Sequence, residues 1–143
     1  MSQKTNRYVL VAGLWLTALG ILIFWLLFFL NFEQQEAGIF ATIDRCWLSW
    51  ELSFPIADLW VAITAALAGY YLLRSSEKGI LLGFAAAGGM IFLALIDITY
   101  FLQNGLYRLG LDGTIELIIH LWLIVFGEFV IIMGLNHRKT FGI

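Results

Sequence analysis

A chain of 143 residues that is 62% apolar and 13% charged, with a mean hydropathy of +0.91, is too apolar for an ordinary soluble domain. Spans of about twenty residues each would use up nearly the whole length, so one integral membrane domain covering 1–143 is predicted. A single thiol, Cys46, excludes an intramolecular disulfide and the chemistry of paired-cysteine membrane enzymes, while the net charge of −2 decides nothing, because in a membrane protein the side each charge occupies matters more than the sum.

The first apolar stretch, 8–30, follows Lys4 and Arg7 but is too long for a signal peptide and lacks a small-residue cleavage site, so it is predicted to stay as a helix. Gly13, Thr17 and Gly20 make a small-residue stripe along it, while Trp15, Trp25 and its phenylalanines read as lipid-facing. In the long connection 31–54, Ile39, Phe40, Ile43, Trp47 and Trp50 recur at roughly helical spacing, which predicts a short interfacial helix with both indoles in an aromatic belt. Ser53 reads as a cap for the second span, 55–73, with Pro55 in its first turn. That span aligns Asp58 with Ala62, Ala65 and Gly69. The short segment 74–78 predicts a tight turn and antiparallel neighbours. In the third span, 79–102, Asp97 shares a face with Gly79, Gly83, Ala86 and Met90. Glu116 and His120, four apart in the fourth span, 114–135, align with Gly127 and Gly134.

Backbone amides in lipid must be satisfied within each segment, and the alternation of a barrel strand is absent, so the predicted fold is all-α. It is a four-helix transmembrane bundle, N-in/C-in, with a short interfacial helix in the first outer loop. Sidedness follows from the basic residues: Lys4, Arg7, Arg74, Lys78, Arg138 and Lys139 fall on one side, and Arg45 and Arg108 on the other. The opposite connections carry Glu33, Glu36, Asp44, Glu51 and Asp112, which favour the approach of cations.

Ionisable side chains inside membrane spans are costly, about 2.5–3.5 kcal/mol for an aspartate at the bilayer centre, and tend to face the bundle interior. Asp58, Asp97, Glu116 and His120 all lie on small-residue faces. At 1.5 Å per residue, Asp58, Asp97 and His120 sit at similar depth, roughly 5–10 Å below the outer ends of their helices. One shared site in the outer third of the bundle is therefore expected. Glu128 lies two turns deeper than His120 and about 80° around the helix, which makes it a separate relay candidate. Trp60, Tyr100 and Trp122 are candidate lining residues.

Three carboxylates and an imidazole suit several chemistries. Asp58, Asp97, Glu116 and His120 are a candidate ligand set for a divalent metal of intermediate hardness. Carboxylates crowded in low dielectric resist ionising together, so the same set can pass protons with His120. Capture of a cationic or amphiphilic ligand is a third reading, with Trp60 and Trp122 offering cation–π faces. Against all three stands the plain alternative that polar residues in membrane helices serve only as interhelical hydrogen-bond glue. No nucleotide-binding loop, nucleophile elbow or paired-histidine haem site is present in the sequence.

Ser53-Phe54-Pro55 with Asp58 and Trp60, and Asp97 with Tyr100, Gly105 and Tyr107, resemble stretches of small uncharacterised four-helix bacterial membrane proteins. That resemblance implies the topology and the cytoplasmic membrane of a prokaryote, and no activity. The overall plan is also similar to the sterol-isomerase and sigma-2-receptor fold, where acidic residues in a four-helix bundle meet a cationic ligand, although span one here lacks any acid. The expected function is a membrane-embedded binding or transport site for a cation or proton. An accessory or assembly subunit is the alternative, and a lipid-acting acid–base enzyme a further one. Expected partners are the lipid bilayer, a cation or amphiphilic small ligand, and a second subunit, identical or different; nucleic acid is not among them. No cofactor is specified by the sequence.

Overall fold

The computed structural model describes residues 3–137, so the basic pair Arg138 and Lys139 used above to assign sidedness lies outside the described residues. Seven α-helices follow in order: α1 (Gln3–Leu30), α2 (Phe32–Glu36), α3 (Ile39–Ile43), α4 (Trp47–Glu51), α5 (Pro55–Leu73), α6 (Lys78–Asn104) and α7 (Gly110–His137), with a 3₁₀ turn at Leu106–Arg108 before the last. Among them α1, α5, α6 and α7 are long and apolar enough to cross a membrane. Three of these run past the apolar stretches read from the sequence, because a helix does not end where hydropathy ends. The fourth, α5, matches its stretch and begins at Pro55, whose missing N–H costs nothing at a first turn.

Small residues set how the bundle closes. In sequence order α1 packs on α5, α5 on α6 and α6 on α7. The faces that meet carry Ala62, Ala65, Ala68 and Gly69 from α5 and Gly79, Gly83, Ala86 and Ala87 from α6, all buried. At Gly79 a Cβ would fall 2.7 Å from the backbone nitrogen of Leu72, so only glycine permits this approach of α6 to α5. The turn between them is tight, as its length predicts: Ser75 adopts a φ of 52° and the Ser76 amide donates to the Tyr71 carbonyl. Arg7 near the start of α1 donates to the Ser75 hydroxyl at 2.8 Å, tying the first helix to this end of the bundle.

The 31–54 connection departs from expectation. It holds three five-residue helices rather than one, because the chain becomes extended at Gly38 (ψ 164°) and again at Asp44 (ψ 106°). These pieces fold over one end of the bundle, called here the capped end. Phe40, Trp47 and Phe54 are buried in the core, so Trp47 is not an exposed belt residue; its ring packs against Phe28 and Phe40. Ser53 does not cap α5 either. Its hydroxyl turns back to the Ser49 carbonyl at 2.9 Å, leaving Phe54 at the cap position.

One pair of neighbours is different. The helices α1 and α7, which close the ring, share no continuous packing seam. Side chains still join them: the Phe126 ring occupies the notch left by Gly13, and the Trp122 indole donates to Thr17 Oγ1 at 3.1 Å. The Trp122–Thr17 contact lies near mid-span and the Gly13–Phe126 contact deeper, away from the cap.

Candidate functional site

Above those contacts the ring does not close, and a cavity of about 400 Å³ occupies the space. Asp58, Asp97, Glu116 and His120 all line it, from three different helices. A fifth ionisable residue joins them from the connection: Glu51, at the end of α4. The remaining wall is apolar and belongs mainly to α1 and α7, with Leu16, Ile21, Phe24, Ile118, Ile119 and Leu123.

Each aspartate is held from behind by an indole. Asp58, in the first turn of α5, accepts a hydrogen bond on Oδ2 from the Trp25 indole at 2.8 Å. Asp97 accepts one on Oδ1 from the Trp50 indole at 3.2 Å, which leaves Oδ2 directed at His120. Trp50 is in turn stacked face to face on Tyr100, with 4.3 Å between centroids, and Tyr100 donates to the Asp44 carboxylate. The α4 segment is thus clasped to α6 at the level of the cavity, and this brings Glu51 into it.

His120 is 4% exposed. Its Nδ1 is 2.7 Å from the Tyr107 hydroxyl, and its Nε2 lies 3.8 Å from both Asp97 Oδ2 and Glu116 Oε2. Burial, with the nearby charges of Asp97 and Glu116, pushes the Tyr107 phenol up to about 12, so it keeps its proton. A phenol that keeps its proton can donate it to Nδ1. In that tautomer the imidazole proton sits on Nε2, between two carboxylates. Glu51 lies well above the usual carboxylate range because it is buried and because Glu116, Asp97 and Asp58 are close by.

Several sequence expectations are corrected by these positions. Trp60 is 61% exposed and absent from the cavity wall, since two residues past Asp58 is about 200° around a helix. Glu128 is exposed on the flank of α7 and is not part of the cavity; its 80° offset carries it off the interior face. Tyr100 clasps the connection rather than lining the cavity. Trp122 does line it. Trp25, read as lipid-facing, is buried against Asp58. Trp15 is partly exposed, but its indole donates to the Ala66 carbonyl at 3.2 Å. Among the described residues, no three His, Cys, Asp or Glu side chains are arranged to hold a metal ion, so the metal reading of Asp58, Asp97, Glu116 and His120 gains no geometric support.

Residues missed from sequence are Glu51, Trp25, Trp50 and Tyr107. An available signal was the indole itself: within a hydrocarbon-facing stretch, a Trp N–H needs an acceptor, and carboxylates on neighbouring spans are the strongest ones present. The fold and site together define a four-helix protein of membrane-spanning dimensions with an acidic cavity near one end. No family model, curated protein or solved structure matches the chain.

Proposed function

We propose that this chain is an integral membrane protein that binds a cation in the carboxylate cavity. We further propose that the capped end faces the outside and the 74–78 turn the cytoplasm, in the cytoplasmic membrane of a prokaryote. Lys78, Arg74 and Arg7 at the uncapped end support that orientation under the positive-inside tendency. The observation that carries the function is the convergence of Glu51, Asp58, Asp97 and Glu116 on one cavity whose lining includes no Lys or Arg. Carboxylates placed together in low dielectric without a basic partner are an electrostatic cost that a bound cation relieves.

A second reading is favoured by a specific feature. Trp25 and Trp50 each satisfy one aspartate oxygen, as interhelical glue would require, so the cluster also fits an assembly subunit whose polar core only holds its helices in register. Exposed Glu128 would then face a partner. Melting of the purified protein in lipid nanodiscs, with and without simple amines and divalent ions, separates the two. Cation-dependent stabilisation that Asp97→Asn abolishes supports the binding protein. An absence of stabilisation by every cation, with Asp97→Asn behaving as wild type, supports the subunit.

A further inference from the structure

We infer that the ligand is an amphiphilic amine that enters sideways from the bilayer, between α1 and α7, with its charged end toward the cap and its apolar end toward the middle of the bundle. This rests on the reading that the carboxylates hold a cation, and it adds the ligand's class and its route.

The route follows from which residues are both wall and surface. Leu16 and Ile118 line the cavity and are 60% and 62% exposed, on the flank of the bundle. The cavity therefore opens through the gap between α1 and α7, at a mouth framed by aliphatic side chains. Toward the cap lies a separate cavity of about 420 Å³, walled by Phe40 and Trp47 of the connection, which shares Phe24 and Glu116 with this one. A hydrophilic ion arriving through the flank would cross a hydrocarbon-facing mouth; a lipid-soluble molecule is already concentrated there.

The class follows from a gradient of polarity along the axis. At 1.5 Å per residue, Asp58, Asp97 and Glu116 lie about 5–10 Å below the capped ends of their helices and His120 about 15 Å. Gly20 is at about the depth of His120, and Trp122, Thr17 and Leu16 continue to about 20 Å, near mid-span. The carboxylates are confined to the shallow part of the cavity, and the deeper wall is mostly apolar apart from His120 and Thr17. An amphiphile in a leaflet has the same order, with its headgroup shallow and its chain deep. His120 adds a second indication of a ligand: it is almost fully buried, and its Nε2 makes no hydrogen bond among the described residues while it faces the carboxylates. Four carboxylates with no Lys or Arg beside them disfavour a phosphate headgroup by like charge and favour a cationic one, of which an amine is the simplest. The volume, about 400 Å³, is in the range of small-molecule sites.

Gly20 supplies the test. A Cβ built there meets nothing within 4 Å, and the residue lines the cavity, so Gly20→Leu starts without a clash and narrows the mouth. Wild type, Gly20→Leu and Asp97→Asn, each in nanodiscs of one zwitterionic lipid, would be titrated with dodecylamine and with ethylamine, following the melting temperature. Two results are expected: dodecylamine stabilises the wild type at a bulk concentration at least about 100-fold below ethylamine, and Gly20→Leu melts like wild type alone but loses the dodecylamine response. Equal potency of the two amines, or a dodecylamine response untouched by Gly20→Leu, overturns the lateral route and leaves the cation site standing. No response to either amine, with a response to small inorganic cations that depends on Asp97, also overturns the amphiphile and spares the cation reading. No response to any cation removes both. Should Gly20→Leu melt differently by itself, Ile119→Trp on the facing wall takes its place. Leu19→Phe, exposed and outside the cavity wall, is the control expected to respond like wild type.

Discussion

Asp97 is the position where a binding site and a structural cross-link predict different numbers. Its Oδ1 accepts from Trp50 at 3.2 Å and its Oδ2 faces His120 at 3.8 Å. Asp97→Asn retains an acceptor for the indole and removes the charge; Asp97→Leu removes both. As an interhelical bond, the contact is worth about 0.6 kcal/mol on average in a membrane, so the Asn variant should melt within a degree or two of wild type. The Leu variant leaves a partly buried indole N–H without its partner, at a cost of about 1–3 kcal/mol. For a bound cation about 5 Å from the lost carboxylate, an effective dielectric of about 20 gives about 3 kcal/mol, or roughly a hundredfold weaker binding. The expected pattern is thus a stable Asn variant that binds cations about 100-fold more weakly, and a Leu variant impaired in both respects. Calorimetric titration in nanodiscs reads affinity, and thermal melting reads stability. An Asn variant that binds cations as tightly as wild type would refute the assignment of Asp97 to the site.

Trp25→Phe keeps the ring packing but deprives Asp58 of its 2.8 Å donor, and should lower stability by about 1–2 kcal/mol in a melting experiment, whereas Trp60→Phe should change nothing measurable. Gly79→Ala places a Cβ 2.7 Å from the Leu72 backbone and should cost about 1–3 kcal/mol, with the loss undiminished by any ligand; a neutral result would mean that α5 and α6 are not so closely packed. Tyr107→Phe should move the imidazole proton of His120 from pure Nε2 to a mixture, read from its ring ¹⁵N shifts by magnetic resonance, and unchanged shifts would show that Tyr107 does not set the tautomer. For Glu51 the folded chain holds its proton to higher pH than the unfolded chain, so stability is full below the ordinary glutamate value of 4.5 and falls as pH rises toward the raised value. Melting temperature should therefore decline across that interval, Glu51→Gln should flatten the decline, and a rise with pH would contradict the burial of Glu51 among Asp58, Asp97 and Glu116.

Periodicity made the spans and their inward faces legible, because small residues that let helices meet and acids that avoid lipid both recur with the helical repeat. Counting residues from helix ends placed Asp58, Asp97 and His120 at one level; the structure brings them to one cavity but sets His120 deeper, because α7 begins at Gly110, four residues before the predicted span. What counting could not supply is the path of the connection. Gly38 and Asp44 divide it into three short helices, and only that fold brings Trp50 and Glu51 back onto α6. Trp25 was hidden for another reason. In a run of leucines and phenylalanines an indole has the hydropathy of a lipid-facing residue, and only its N–H reveals that it needs an acceptor.

The two readings of the cluster differ over the oxygens that the tryptophans leave free. Glue needs each carboxylate to finish its hydrogen bonding inside the bundle. Here Trp25 and Trp50 take one oxygen of each aspartate, and both residues still line the cavity. Glu116 has only the 3.8 Å approach to His120, and no hydrogen bond to the Glu51 side chain is formed among the described residues. A bundle built only for strength would gain by replacing such acids with apolar residues of the same volume. On the proposed reading, a cation would complete their arrangement at the shallow end of an open cavity, with each aspartate backed by an indole. The indoles then have a second consequence. By anchoring one oxygen they fix the direction of the other, so a ligand of the kind proposed would meet carboxylates already oriented and lose less rotamer entropy on binding.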